Sequence, residues 1–204
     1  IIFRGSYAGE LKVEYSVLPE RVARILVRDV TVDSMTLYWP GVFGATGYRI
    51  YQYDHTKKEY VPIKRTTKTS YTVTGLKAGT TYKFAIKTYT AKFDEKTLWS
   101  SKPFKESFDT APATPSIKVT STKAGVATIT WTDISGESGY QLYYSTSKNG
   151  KYKKVKSYGA DTVKGTKSKL TKGKKYYFKV RAYKKTSSGT VYGSFSAVKS
   201  VKIK

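Results

Sequence analysis

Tyr82-Lys83-Phe84-Ala85-Ile86-Lys87-Thr88-Tyr89 reads with a period of two, and 94 residues on, Tyr176-Tyr177-Phe178-Lys179-Val180-Arg181-Ala182-Tyr183 repeats the reading. Alternation of this kind sends one row of side chains into a core and the other into water, which describes a strand. Ser34-Met35-Thr36-Leu37-Tyr38-Trp39 and Ala127-Thr128-Ile129-Thr130-Trp131 alternate in the same way. Between such runs stand turn signals, among them Asn149-Gly150, a tight-hairpin dipeptide. Apolar residues nowhere recur at helical spacing through three turns.

The repeat extends beyond one strand. Gly47-Tyr48-Arg49-Ile50-Tyr51 matches Gly139-Tyr140-Gln141-Leu142-Tyr143 at an offset of 92, and Trp39 matches Trp131 at the same offset. Leu76-Lys77-Ala78-Gly79-Thr80-Thr81-Tyr82 matches Leu170-Thr171-Lys172-Gly173-Lys174-Lys175-Tyr176 at 94, so the second copy carries a small insertion between Tyr158 and Lys167. Three blocks in one order mark a tandem duplication. Seven short strands in each copy of about 90 residues predict an all-β chain of two tandem β-sandwiches. The copies span residues 19–110 and 111–204, joined at Thr110-Ala111-Pro112-Ala113-Thr114-Pro115, where two prolines predict a short, semi-rigid linker.

Composition narrows the chemistry. In 204 residues there is no cysteine and one histidine, which excludes disulfides, thiolate metal sites and cysteine nucleophiles. No run approaches the roughly 18 apolar residues of a spanning helix, and Ile1-Ile2-Phe3-Arg4-Gly5 does not read as a signal peptide. Lys and Arg number 38 against 14 acids, a net charge of +24 that favours acidic partners. The excess is uneven: residues 1–110 carry 18 basic and 11 acidic side chains, residues 111–204 carry 20 and 3.

Each copy resembles a fibronectin type III domain, a likeness that covers residues 20–204. It rests on a Trp in the second strand (Trp39, Trp131), a Gly-Tyr opening the third (Tyr48, Tyr140) and a Leu-x-x-Gly-x-x-Tyr corner before the sixth (Leu76, Tyr82; Leu170, Tyr176). The resemblance implies seven-stranded immunoglobulin-like sandwiches with these side chains buried, each corner tyrosine returning its hydroxyl to the backbone a few residues upstream. In style, Gly47–Tyr51, Ser147–Val155 and Tyr177–Tyr183 look like modules of large secreted proteins of gut clostridia and their relatives. That likeness implies an extracellular, secreted or wall-associated fragment of a longer exported protein.

Candidate chemistry is sparse. His55 lies in Tyr53-Asp54-His55-Thr56-Lys57-Lys58-Glu59, a hairpin whose lysines would repel a cation, so it reads as an exposed turn histidine with no metal. Asp94/Glu95 and Asp133/Glu137 are carboxylate pairs in loops and read as solvated acids rather than glycosidase residues. No nucleophile elbow, phosphate loop or dinucleotide fingerprint occurs, which predicts no enzyme and no cofactor. Arg-Gly-Asp is absent; Arg4-Gly5-Ser6 is the nearest string.

One face stands out. With Tyr176, Phe178, Val180 and Ala182 inward, Tyr177, Lys179, Arg181 and Tyr183 point out beside Tyr143, interleaving rings with cations. Such a face suits an anionic wall polymer or host glycan, with no specific nucleic acid and no membrane insertion. Two classes of function stay open: spacer or adhesion modules acting with neighbouring domains of the same chain, and a binding module, free-standing or ancillary to a secreted hydrolase. Residues 1–18, with Leu11, Val13, Tyr15 and Val17 alternating with polar residues, predict an N-terminal hairpin, either the end of a preceding immunoglobulin-like module or an extension of the first module whose strand adds to its sheet.

Overall fold

The computed structural model describes residues 17–91 and 97–204, and the described residues contain strands and turns with no helix. The expected N-terminal hairpin falls almost wholly outside them. In the first sandwich β1 (Leu26–Arg28), β2 (Met35–Tyr38) and β5 (Ser70–Val73) form one sheet; β3 (Gly47–Asp54), β4 (Glu59–Thr66), β6 (Thr81–Ala91), β7 (Thr97–Trp99) and β8 (Phe104–Asp109) form the other. The second sandwich repeats this with β9 (Ile117–Thr120), β10 (Ala127–Trp131) and β13 (Lys164–Lys167) facing β11 (Gly139–Ser145), β12 (Lys153–Gly159), β14 (Lys175–Thr186), β15 (Gly189–Tyr192) and β16 (Lys199–Lys202).

Both β7 and β8 pair with the same edge of β6, and both β15 and β16 with the same edge of β14. Each pair is therefore one seventh strand broken in the middle. In the second copy the break holds Ser196, whose hydroxyl accepts the Val180 amide at 3.1 Å. Ser100 accepts the Thr88 amide in the first at 3.3 Å. A side-chain oxygen thus replaces the ladder carbonyl where the strand departs, as a buried amide requires.

The alternation is reproduced in burial. On β14, Tyr176, Phe178, Val180 and Ala182 are buried, and the residues between them are half-exposed. The cores are built from the expected residues: Trp39, Tyr48 and Leu76 in the first, Trp131, Tyr140, Leu170 and Tyr176 in the second. Trp39 meets Tyr48 edge-on at 5.4 Å, and Trp131 packs on Tyr140 at 5.6 Å. Tyr82 is only half-buried, its ring against the core and its edge in solvent. Both corner hydroxyls accept a backbone amide five residues upstream, Tyr82 from Lys77 at 2.8 Å and Tyr176 from Thr171 at 3.2 Å.

The Gly-Tyr opening of the third strand has a packing cause. Gly47 lies opposite Tyr89 and Gly139 opposite Tyr183. A Cβ at either glycine would stand 2.6–2.7 Å from that tyrosine's hydroxyl oxygen. The cross-strand ring covers the glycine, and the backbone carbonyls of Thr66 and Tyr158, which also stand against such a Cβ, leave no room for a larger residue.

Candidate functional site

Tyr143, Lys179 and Arg181 come together on the outer face of the second sandwich, where β11 pairs with β14. Arg181 donates to Gln141 Oε1 through Nε (3.0 Å) and Nη2 (2.9 Å), and its guanidinium lies 3.9 Å from the Tyr192 ring centre. Phe195, from the break in the seventh strand, turns over this cluster: its ring centre is 5.1 Å from Tyr143, 4.0 Å from Lys179 Nζ and 4.9 Å from Arg181. Tyr152 takes the other side of Lys179 at 4.3 Å. The cations of this face are thus engaged by the module's own rings and amide.

The remaining expected residues lie at the ends of the cluster. Tyr183 adjoins Tyr192 at 6.4 Å and donates its hydroxyl to the Tyr158 carbonyl. Tyr177 sits beside Lys175 (5.8 Å) and adds a little to the rise in the Tyr152 phenol's pKa, which burial chiefly causes. Sequence reasoning missed Phe195, Tyr192 and Tyr152. Tyr152 was findable, because it stands 92 residues after Tyr60; Phe195 belongs to a segment with no periodicity.

The first sandwich has its own ladder, also missed. Arg65 lies 4.0 Å over Tyr89, which packs on Trp99 at 5.2 Å, and Arg49 lies between Tyr51 and Trp99. Beside it a notch of about 270 Å³ is lined by Tyr51, Tyr60, Ala85, Lys87, Pro103 and Lys105. Wider clefts of about 770 and 410 Å³ open between the sheet edges of the first and second sandwiches.

The carboxylate pair Asp133/Glu137 has a structural occupation. Asp133 Oδ1 accepts the Tyr140 hydroxyl at 2.9 Å and the Ile134 amide at 3.1 Å. Burial, with Asp133 and Asp161 nearby, raises the Glu137 pKa. Asp94 and Glu95 lie outside the described residues. His55 is exposed, edge-on to Tyr53 at 5.1 Å, in a turn closed by amides of Thr56 and Lys57 on Asp54. Those hydrogen bonds, that of Lys57 foremost, hold the Asp54 pKa below its ordinary value. Among the described residues no cluster of three His, Asp or Glu forms.

A second arrangement joins the sandwiches. Lys184 of β14 reaches the first sandwich, with Nζ 2.9 Å from Asp109 Oδ1, 2.6 Å from the Gly79 carbonyl and 3.3 Å from Thr81 Oγ1. Both charged groups are largely buried, at 17% and 13% exposure. Beside them the backbones of Gly79 and Gly136 touch: a Cβ on Gly79 would lie 2.7 Å from the Ser135 carbonyl, and one on Gly136 would strike the Gly79 carbonyl. The linker is tucked in. Thr110 is fully buried and donates its hydroxyl to Lys77 O at 2.6 Å, and Ala111 bonds to Thr31 and Gly79. The start of the expected linker is therefore part of the first sandwich.

Residues 20–103 match the family model of the fibronectin type III domain. Among solved structures, a two-domain fibronectin type III segment of chicken tenascin aligns with a TM-score of 0.51 and 21% identity, over 90% of this chain and 98% of that one. The FN1–FN3 domains of chicken CNTN1 align with a TM-score of 0.48 and 16% identity, over 92% and 69%. No curated protein matches the chain. The fold is thus two sandwiches of fibronectin type III arrangement in tandem. Modules of this type are typically non-catalytic spacing or binding units, and commonly extracellular.

Proposed function

We propose that the chain is a non-catalytic spacer segment of a larger extracellular protein, in which two sandwiches set the distance and angle between neighbouring domains. An exported bacterial surface protein is the setting that the resemblance of its modules favours. The observation that carries the reading is the joint. A lysine buried on an acid and a carbonyl across the boundary, beside two glycines in backbone contact, leaves the sandwiches little freedom to swing, against the mobility expected of an ordinary polar domain boundary. Phe43-Gly44 stands in the first sandwich at the register of Ser135-Gly136 in the second, and Phe43 is fully exposed. A preceding domain would seat there as the first sandwich seats on the second.

The chain has no cysteine, so Lys57→Cys with Lys148→Cys provides two unique spin-label sites, one on each sandwich. Pulsed electron resonance should give one narrow distance distribution. Gly136→Ala or Lys184→Gln should broaden it. Gly44→Ala is the control: its φ of +71° strains alanine as the +78° of Gly136 does, but nothing lies within 4 Å of the added methyl. A broad distribution in the unaltered joint would overturn the spacer reading.

A further inference from the structure

The joint shows which positions of a sandwich meet the module before it. Gly79 of the first sandwich sits between Ala111, whose carbonyl accepts its amide at 3.0 Å, and Gly136, where an added Cβ would strike it. Lys184 crosses to Asp109 beside them. The first sandwich has the same positions at its own upstream pole. Val17-Leu18-Pro19 matches Thr110-Ala111-Pro112, with both prolines buried, and Phe43-Gly44 matches Ser135-Gly136. Thr90 follows the tyrosine that covers Gly47, as Lys184 follows the tyrosine that covers Gly139.

The chemistry at this pole differs. Thr110 and Ala111 are buried, whereas Val17 is 73% and Leu18 50% exposed, and Phe43 is fully so. These are the three most exposed large hydrophobic side chains among the described residues. Single surface apolar residues are ordinary, but a group of them marks a contact. The ion pair has been replaced on both sides at once: in the sequence Ser16 takes the place of Asp109, and Thr90 that of Lys184. Thr90 donates its hydroxyl to the Gly44 carbonyl at 2.9 Å and so stays within its own sandwich. Gly44 has the backbone of Gly136, with φ of +71° against +78°, yet a Cβ added there meets nothing within 4 Å.

We infer that this pole seats a preceding module of the same fold through an apolar joint without the ion pair, the corner glycine of that module lying between Leu18 and Gly44 and its surface covering Phe43. The inference rests on the spacer reading and names the partner and the chemistry of its upstream end. Loss of acid and base together is what a two-sided joint requires, since either one alone would be a buried, unpaired charge. A second copy of this chain does not fit the seat. At the far end of the second sandwich the exposed Lys202 and Lys175 hold the positions of Asp109 and Thr81. Seating them on Phe43 and Leu18 would strip two cations of water against apolar side chains.

The test adds to the chain the upstream residues that its gene encodes, about 100 for one module. The Phe43 ring and the Val17 and Leu18 methyls are followed by NMR with a neutral gadolinium chelate in solution. In the 204-residue chain the chelate should relax all three strongly. In the longer chain all three should lose most of that relaxation, while Val163, exposed on the second sandwich, keeps its own. Phe43→Ser installs the second sandwich's residue at an exposed site, and Gly44→Ala adds a methyl that has room in the shorter chain. Either change should restore relaxation of Val17 and Leu18 in the longer chain and leave that of the shorter one as it was. Equal relaxation in the two chains would overturn the proposal. So would protection of Phe43 in the shorter chain that disappears when residues 1–16 are deleted, a dimer of the shorter chain that Phe43→Ser dissolves, or an upstream segment that forms no sandwich. The distance distribution between labels at 57 and 148 should not respond to Phe43→Ser. A narrow distribution with Phe43 open in both chains sinks this proposal and leaves the spacer reading; a broad one with Phe43 covered in the longer chain does the reverse.

Discussion

Tyr48→Phe and Tyr140→Phe delete one oxygen at the same register of the two sandwiches, yet the structure assigns them different costs. The Tyr48 hydroxyl accepts the Val42 amide at 3.0 Å. Val42 is half-exposed and water can replace the lost partner, so the loss should be about 1 kcal/mol, the net worth of a neutral hydrogen bond. Tyr140 is fully buried; its hydroxyl accepts the Ile134 amide at 2.7 Å and donates to the Asp133 carboxylate at 2.9 Å. A bond to a charged group is worth about 1.5–3 kcal/mol, and the Ile134 amide still keeps Asp133, so Tyr140→Phe should cost about 2–3 kcal/mol. Urea titrations followed by two-dimensional NMR resolve the two sandwiches and measure each cost separately. Combining Tyr140→Phe with Asp133→Ala should reveal a coupling of about 1.5 kcal/mol. The same loop leads to Gly136, so Tyr140→Phe should also broaden the distance distribution across the joint. Equal costs at the two tyrosines, with strict additivity toward Asp133→Ala, would refute the reasoning.

Three further outcomes follow from the packing and the titrating groups. Tyr82→Phe and Tyr176→Phe should each lose about 1 kcal/mol in the same titrations, the value of the corner hydroxyl's bond to the backbone; no loss at either site removes the corner argument. Gly165→Ala puts a methyl 2.6 Å from Tyr158 Cζ and 3.2 Å from Trp131, and should cost about 1–3 kcal/mol through overpacking; Tyr158→Thr in the same chain should relieve the clash, and a single variant as stable as the parent would contradict it. Burial and the bond to Asp133 raise the Tyr140 pKa above its ordinary 10.0. Above pH 10 only the unfolded phenol ionises, so stability from this group is present below that pH and lost as pH rises. The second sandwich's stability should therefore fall less steeply with pH above 10 in Tyr140→Phe than in the parent, and equal slopes would refute the assignment.

What could be read from the chain was whatever repeats at short range. Alternation placed Phe178, Val180 and Ala182 inside and Lys179 and Arg181 outside without any knowledge of their neighbours, because strand geometry alone decides it. The break in the seventh strand was not readable, since it depends on Ser100 and Ser196 offering a hydroxyl to an amide across the sheet. Nor was Phe195, whose position follows from that break. Lys184 is the plainest case. In sequence it is one more lysine in a basic strand, and only the placement of the sandwiches brings it to Asp109, 75 residues upstream.

The duplication itself carries the information that a single copy lacks. Thr66 and Tyr71 on facing sheet edges become Tyr158 and Gly165 in the second copy, so the bulky ring moves from one edge to the other. Tyr158 now packs on Trp131 at 5.2 Å, which is why Gly165 admits no side chain. A core of fixed volume tolerates such an exchange when large and small change places together. On the outer face the exchange is compensated from a neighbouring strand. Ala85 takes the register of Lys179, and Lys105 of β8 reaches across it until its Nζ lies 4.8 Å from the Tyr60 ring centre, as Lys179 Nζ lies 4.3 Å from that of Tyr152. A cation over the same tyrosine is thus kept although the strand that supplies it has changed, and the buried methyl of Ala85 lies beneath it.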